Sequence, residues 1–290
     1  MYATRNQRTI AAPATVDGIG YWSGRDVHVE FRPAAPDTGI VFVRGDLAGC
    51  PRIPAIIDYR TETPRRTTLH CGQAGVDMIE HIMAALAGLQ IDNCEIWVDR
   101  PEMPGCDGSS LPFVQALAPA GIVAQDRPRA ALCIRQVIRL GSEESWIEAH
   151  PHRSGRTILR YELDYGSSVI GRQMLEILLS PKFFHVSLAP SRTFMLEAEA
   201  AAMQARGLGQ RATCKDLLVF NSRGPIDNEL RFPDECVRHK LVDMVGDLAL
   251  AGCDLVGRFV AYRSGHRLNA ELVRAILAAD QSRKECKRCA

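Results

Sequence analysis

Strand-like alternation gathers ahead of helical periodicity, and it does so twice along this chain. That order limits the available folds more than any other feature. Strands followed by helices build α+β layers, whereas a doubly wound parallel sheet needs the two to alternate. In the first half Val27, Val29 and Phe31 alternate with polar residues, and a run at 40–43 follows the turn signal Asp37-Thr38-Gly39. Met78, Ile79, Ile82, Met83 and Leu86 have helical spacing, with Gly88 placed as a helix stop. A strand at 95–98, a turn-rich stretch at 101–110 and a short helix near 113–117 complete that half. The polar, proline-containing segment 121–129 reads as a domain boundary. Beyond it, strands are expected at 132–138, 158–163 and 184–188, helices at 196–206 and 236–250, a strand at 258–262 and a final helix at 270–279. The 290 residues suit two α+β domains, placed at 1–125 and 126–290. No internal sequence repeat accompanies this duplicated order of elements.

Composition narrows the function. An apolar fraction of 46% beside 24% charged residues implies a sizeable core. The 35 basic and 34 acidic residues leave a net charge of +1, without the basic excess of a nucleic-acid binder, so no nucleic-acid partner is expected. The first 22 residues lack the apolar core of a signal peptide. The best membrane-length run, 241–257, carries Asp243, Asp247 and Asp254. A cytoplasmic monomer with at most peripheral membrane contact is expected. The 10 cysteines do not suggest disulfides in such a chain, and Cys94, Cys133 and Cys253 sit in apolar runs as small hydrophobes. Cys286 and Cys289 form a lone C-x-x-C, read as part of a frayed basic tail, since no second metal-binding pair is present.

Three local patterns could carry chemistry. Val237, Leu241, Met244, Val245 and Leu248 form one apolar helix face, while His239, Asp243 and Asp247, at successive steps of four, line another. An imidazole and a carboxylate so spaced can share a metal ion, or can be a solvated His–Asp pair. Glu80 beside His81 suits zinc hydrolysis, the histidine as ligand and the glutamate as base. Asp77-x-x-Glu80 equally reads as a capping box. His266, in Ser264-Gly-His-Arg-Leu-Asn269 between a strand and the last helix, could be a titratable loop histidine.

Longer blocks join these patterns. Ile79-Glu-His-Ile-Met-Ala-Ala-Leu-Ala-Gly-Leu-Gln-Ile-Asp-Asn93 and Pro101-Glu-Met-Pro-Gly-Cys-Asp-Gly-Ser109 resemble the UDP-3-O-acyl-N-acetylglucosamine deacetylase family. So do Ser191-Arg-Thr-Phe194, Leu230-Arg-Phe-Pro-Asp-Glu-Cys-Val-Arg-His-Lys-Leu-Val-Asp-Met-Val-Gly-Asp247 and Ser264-Gly-His-Arg-Leu-Asn269. The blocks keep the family's order and span nearly the whole chain.

The resemblance implies two similar α+β domains with helices packed between two sheets and the active site at their junction. It implies zinc ligands His81, His239 and Asp243, with a fourth position open to water; iron(II) would also suit that donor set. The implied reaction removes the N-acetyl group of the nucleotide-sugar lipid precursor, an early committed step of lipid A biosynthesis. Glu80 matches the general base, Thr193 the oxyanion donor, His266 the cationic partner and Asp247 its orienting carboxylate. Lys240 would meet the diphosphate. A β-α-β insert near 194–220, beginning at the substrate-binding Phe194, would enclose the acyl chain.

Three segments depart from the family pattern. Gly18-Ile-Gly-Tyr-Trp-Ser-Gly24 replaces Gly-x-Gly-Leu-His-Ser/Thr-Gly, and Pro104-Gly-Cys-Asp-Gly-Ser109 replaces Pro-Ile-Met-Asp-Gly-Ser. Gly209-Gln-Arg-Ala-Thr-Cys-Lys-Asp216 replaces a run richer in glycine. These bear on acyl-chain length and nucleotide contacts, not on the implied metal ligands. A metal-binding paralogue without catalysis is the competing class; H-E-x-x-H is absent, which counts against a zinc peptidase.

Overall fold

The computed structural model describes the backbone of residues 5–289 and the side chains of residues 5–282. Both halves of the chain follow one plan: two antiparallel strand pairs, a helix, a strand inserted between the pairs, then a second helix. In the first half, Ala14–Ile19 pairs with Asp26–Pro33 and Ile40–Arg44 with Arg52–Pro54. The helix Glu80–Leu89 follows. The strand Cys94–Val98 then enters between the pairs, antiparallel to Asp26–Pro33 and parallel to Ile40–Arg44, before the helix Leu111–Leu117.

The second half repeats this. Ile138–Gly141 pairs with Trp146–His150 and Thr157–Asp164 with Arg172–Leu178. After the helix Glu235–Leu248, the strand Asp254–Tyr262 runs antiparallel to Trp146–His150 and parallel to Thr157–Asp164. The helix His266–Cys289 ends the chain's described part. Among the described residues every sheet draws its strands from 6–128 or from 131–262, never from both. The architecture is α+β.

Each half also carries an addition between its second strand pair and the helix Glu80–Leu89 or Glu235–Leu248. In the first it is a three-stranded sheet of Arg60–Thr61, Thr68–Cys71 and Ala74–Asp77. In the second, the parallel strands Phe194–Leu196 and Leu218–Phe220 are joined through the helix Glu197–Gln204.

The helices Glu80–Leu89 and Glu235–Leu248 pack on each other. Glu235–Leu248 also covers Thr157–Asp164 and Arg172–Leu178, and Leu111–Leu117 covers Ala14–Ile19. Ile79, Ile82, Leu241, Val242 and Met244 are fully buried; each such side chain contributes about 1.5–3 kcal/mol relative to exposure. Buried apolar surface thus holds together the two helices from which the histidines project.

Several expected elements are corrected. Residues 184–188 are helical, not extended: Pro181–Phe183 begins a helix, capped by Ser180, that continues through Phe184–Leu188. Phe184 and Leu188 are buried while Val186 is 62% exposed, so the apparent alternation was one helical face at a spacing of four. Phe184 packs on Gly88, where a Cβ would meet its ring at 2.1 Å. Gly88 is therefore inside its helix to admit that ring, and the left-handed cap is Gln90, φ 59°. The polar segment 121–129 is not a free linker, since Ile122–Pro128 pairs with Asn6–Ile10. The single strand expected at 132–138 is two: Ala131–Cys133, parallel to Asp254–Tyr262, and Ile138–Gly141. The last helix exceeds its expected span at both ends, so Cys286 and Cys289 lie on helical backbone; their side chains fall outside the described residues.

Candidate metal centre and active site

His81 lies in the first turn of its helix, while His239 and Asp243 share a face of the facing helix one turn apart. The helices can approach this closely because of Gly246, whose Cβ would stand 2.1 Å from the Glu80 carbonyl oxygen. All three side chains are buried. His239 Nε2 is 3.3 Å and His81 Nε2 3.7 Å from Asp243 Oδ1, and one ligand atom from each residue lies within 4.8 Å of the others. Zinc bonds of about 2.0–2.1 Å place neighbouring tetrahedral donors roughly 3.3–3.4 Å apart. The two separations from Asp243 Oδ1 match that edge to within a few tenths of an ångström.

The protonation states also favour a cation. His239 donates from Nδ1 to the Ser191 carbonyl at 3.1 Å, which turns the Nε2 lone pair toward His81 and Asp243. Burial drives its pKa down to about 3 against the opposing Asp243 charge, so the imidazole is neutral. Burial would raise the Asp243 pKa, but the Lys240 charge holds it well below the usual carboxylate range. Lys240 Nζ sits 2.6 Å from Asp243 Oδ2 and 5.7 Å from the Phe194 ring centre. Burial works against its charge, yet the Asp243 carboxylate outweighs it and the pKa rises. Two imidazoles and an ionised carboxylate fit zinc, and fit iron(II) as well.

Glu80 is not a capping residue. The N-cap is Ile79, with no side-chain cap bond. Glu80 Oε2 accepts the Thr67 backbone N–H at 2.9 Å, and Asp77 Oδ1 accepts the Thr68 hydroxyl instead. Burial raises the Glu80 pKa against the lowering effect of His266 and His81. His266 is the first residue of the last helix rather than a loop histidine. Its Nδ1 lies 2.9 Å from Asp247 Oδ2. Burial would lower its pKa, but the Asp247 charge and hydrogen bond, with Glu80 and Asp243, lift it to about 9.

Glu80, His81, Thr193, Phe194, His239, Lys240, Asp243 and His266 all line one cavity of about 750 Å³; Asp247 stands fully buried behind His266. Phe194 packs edge-on to His239 and Phe220, at 6.2 and 6.4 Å between ring centres. The segment 194–220 adds Met195, Met203, Leu208, Leu217 and Val219 to the lining, together with Glu197, Glu199 and Gln204.

A family model described as UDP-3-O-acyl N-acetylglycosamine deacetylase matches residues 7–278. The chain belongs to this deacetylase family. A protein named UDP-3-O-acyl-N-acetylglucosamine deacetylase from Thermosynechococcus vestitus is 38% identical over 270 residues, covering 93% of each chain. Proteins of the same name from Brucella ovis and Syntrophus aciditrophicus are 37% and 34% identical, covering 94% and 95% of this chain and 95% and 87% of the relative.

The three segments that depart from the deacetylase family pattern meet in space. The Tyr21 hydroxyl lies 3.1 Å from the Cys106 carbonyl oxygen and 2.5 Å from that of Asp216, and Arg211 donates to the Gly24 carbonyl at 2.8 Å. Three separate sequence departures are thus one contiguous wall, part of it lining the cavity through Tyr21 and Trp22. Other supporting residues carried no local signal. Asn269 donates to Asp247 Oδ2 at 2.8 Å and the Thr67 hydroxyl to Oδ1 at 2.6 Å. The fully buried Glu235 accepts from both the backbone and guanidinium of Arg192, fixing the strand end that carries Thr193. Asn269 fell inside a family block, where its buried amide would have been readable only with the site's geometry in hand.

Proposed function

We propose that this chain is a zinc-dependent deacetylase that hydrolyses the N-acetyl group of UDP-3-O-acyl-N-acetylglucosamine, releasing acetate at an early committed step of lipid A biosynthesis. The observation that carries the reading is the convergence of His81, His239 and Asp243 beside Glu80 in the lining of one cavity. Membership of the deacetylase family and the names of its relatives supply the substrate class.

His81, His239 and Asp243 would hold the zinc. Bound there, the ion supplies Lewis-acid polarisation of the acetamide carbonyl and acidifies water. Glu80, pinned through Oε2, keeps Oε1 for the proton of the attacking water. The Thr193 hydroxyl donates to the developing oxyanion. His266, cationic below about pH 9, places positive charge beside the collapsing intermediate. The departing amine needs a proton, and Glu80 and His266 are the two carriers available to it. Lys240 serves the diphosphate as a point charge, and Phe194 bounds the sugar side of the cavity. The apolar side chains of segment 194–220, Met195, Met203, Leu208, Leu217 and Val219 among them, take the acyl chain.

We read the two halves as similar α+β domains, 1–125 and 126–290, whose helices lie between two sheets with the active site at the junction. The repeated strand order and the origin of His81 and Asp243 in different halves support this. Among the described residues no helix is long and apolar enough to cross a membrane. We take the enzyme to be a cytoplasmic monomer.

The test is product identification. Purified protein incubated with UDP-3-O-acyl-N-acetylglucosamine yields free acetate and the corresponding amine in equal amounts. Release of neither, by protein containing stoichiometric zinc, rejects the reading in favour of a non-catalytic metal-binding paralogue. Acetate released only from a differently acylated amino-sugar nucleotide moves the assignment to that substrate.

A further inference from the structure

We propose that Thr67 is a positioning residue that sets the base Glu80 and the His266–Asp247 pair in register across the two halves of the chain. The inference rests on the deacetylase reading for its kinetic consequence, though not for its geometry. Thr67 lies just before the strand Thr68–Cys71 and is 1% exposed.

Its backbone is held to the base on both sides. Thr67 N–H donates to Glu80 Oε2 at 2.9 Å, and the Thr67 carbonyl accepts from Ile79 N–H at 3.3 Å, immediately ahead of the helix that bears Glu80. The side chain points the other way. The Thr67 hydroxyl donates to Asp247 Oδ1 at 2.6 Å, and Asp247 Oδ2 receives His266 Nδ1 and Asn269 Nδ2 at 2.9 and 2.8 Å. Asp247 is fully buried, so these protein donors take the place of water around its carboxylate.

One buried residue therefore touches the base with its main chain and the partner of the cation with its side chain. Asn269 and His266 both approach Oδ2; among the donors described, only the hydroxyl reaches Oδ1 and comes from the opposite half. Without it the Asp247 carboxylate can rotate about its terminal torsion, a soft one, and carry the imidazole with it. A misplacement of about 1 Å in such a constellation is enough for about a 100-fold loss of rate.

Thr67→Val removes the hydroxyl, keeps the volume and leaves both backbone bonds; Thr67→Ser keeps the hydroxyl. For zinc-loaded protein, Thr67→Val is expected to lower kcat about 10–100-fold with KM within about twofold of wild type and zinc content unchanged. Thr67→Ser is expected to recover kcat to within about threefold. The low-field imidazole Nδ1 proton of His266, assigned by its loss in His266→Gln, is expected to shift in Thr67→Val and to return in Thr67→Ser. That NMR measurement needs no substrate. A Val variant with wild-type kcat and an unmoved resonance overturns the proposal. So does a rate loss matched by zinc loss, or one that Ser does not restore. If wild-type protein releases no acetate, the proposed function fails by itself, and the resonance still decides the role of Thr67.

Discussion

Gly246 lies against the main chain of Glu80, with room for no side chain: a Cβ on Gly246 would come within 2.1 Å of the Glu80 carbonyl oxygen. That contact sets the distance between the helix bearing His81 and the helix bearing His239 and Asp243. Gly246→Ala must push the helices apart, and overpacking of this kind costs about 1–3 kcal/mol. Urea denaturation should register that loss, and zinc titration should show weaker binding, because the ligands come from both helices. A variant as stable as wild type with unchanged zinc affinity would mean that the contact does not set the site.

The rate should rise and then fall with pH. Burial raises the Glu80 pKa above its ordinary 4.5, so activity declines as acid protonates the base. His266 titrates near 9, above its ordinary 6.5, so activity declines again as pH rises through about 9. The same sign applies to stability. The contribution from His266 is complete below the unfolded-state value and is lost as pH rises through the folded one. Asp247→Asn removes the charge that most opposes burial, so the alkaline limb of the kcat profile moves to lower pH. An unmoved limb in that variant would detach it from His266.

Base and ligand should separate cleanly. Glu80→Gln retains an oxygen for the Thr67 N–H bond, so its helix and its zinc should survive while turnover falls about 100- to 10,000-fold. His239→Ala should lose both metal and activity. Zinc analysis and acetate release on the same samples check the pair.

Glu235 and Arg192 form a buried ion pair, with side chains 0% and 6% exposed. Glu235→Ala would strand the guanidinium and should destabilise the fold by about 3–5 kcal/mol. Thr193 follows Arg192 directly, so kcat should fall further than the loss of folded protein explains. Activity normalised to the folded fraction, read by circular dichroism, tests this.

Sequence patterning carried much of the architecture. The spacing of Leu241, Met244, Val245 and Leu248 placed a helix that the structure contains, with Asp243 and His239 on a separate face. It failed where periods coincide: Phe184 and Leu188 satisfy both a strand and a helix, and only packing on Gly88 separates them. The exposed strand Ile122–Pro128 was illegible because its polar residues serve pairing with Asn6–Ile10 rather than a core. The site was legible as residues but not as connections. Nothing local to Thr67, Asn269 or Glu235 shows that their partners lie 180, 22 and 43 positions away.

The most direct test of the account is a zinc titration of metal-stripped protein, with acetate release from UDP-3-O-acyl-N-acetylglucosamine measured at each addition. The account predicts no release without metal, then a rate that climbs linearly and breaks at one zinc per chain. A metal-stripped protein that turns over at the full rate would contradict it.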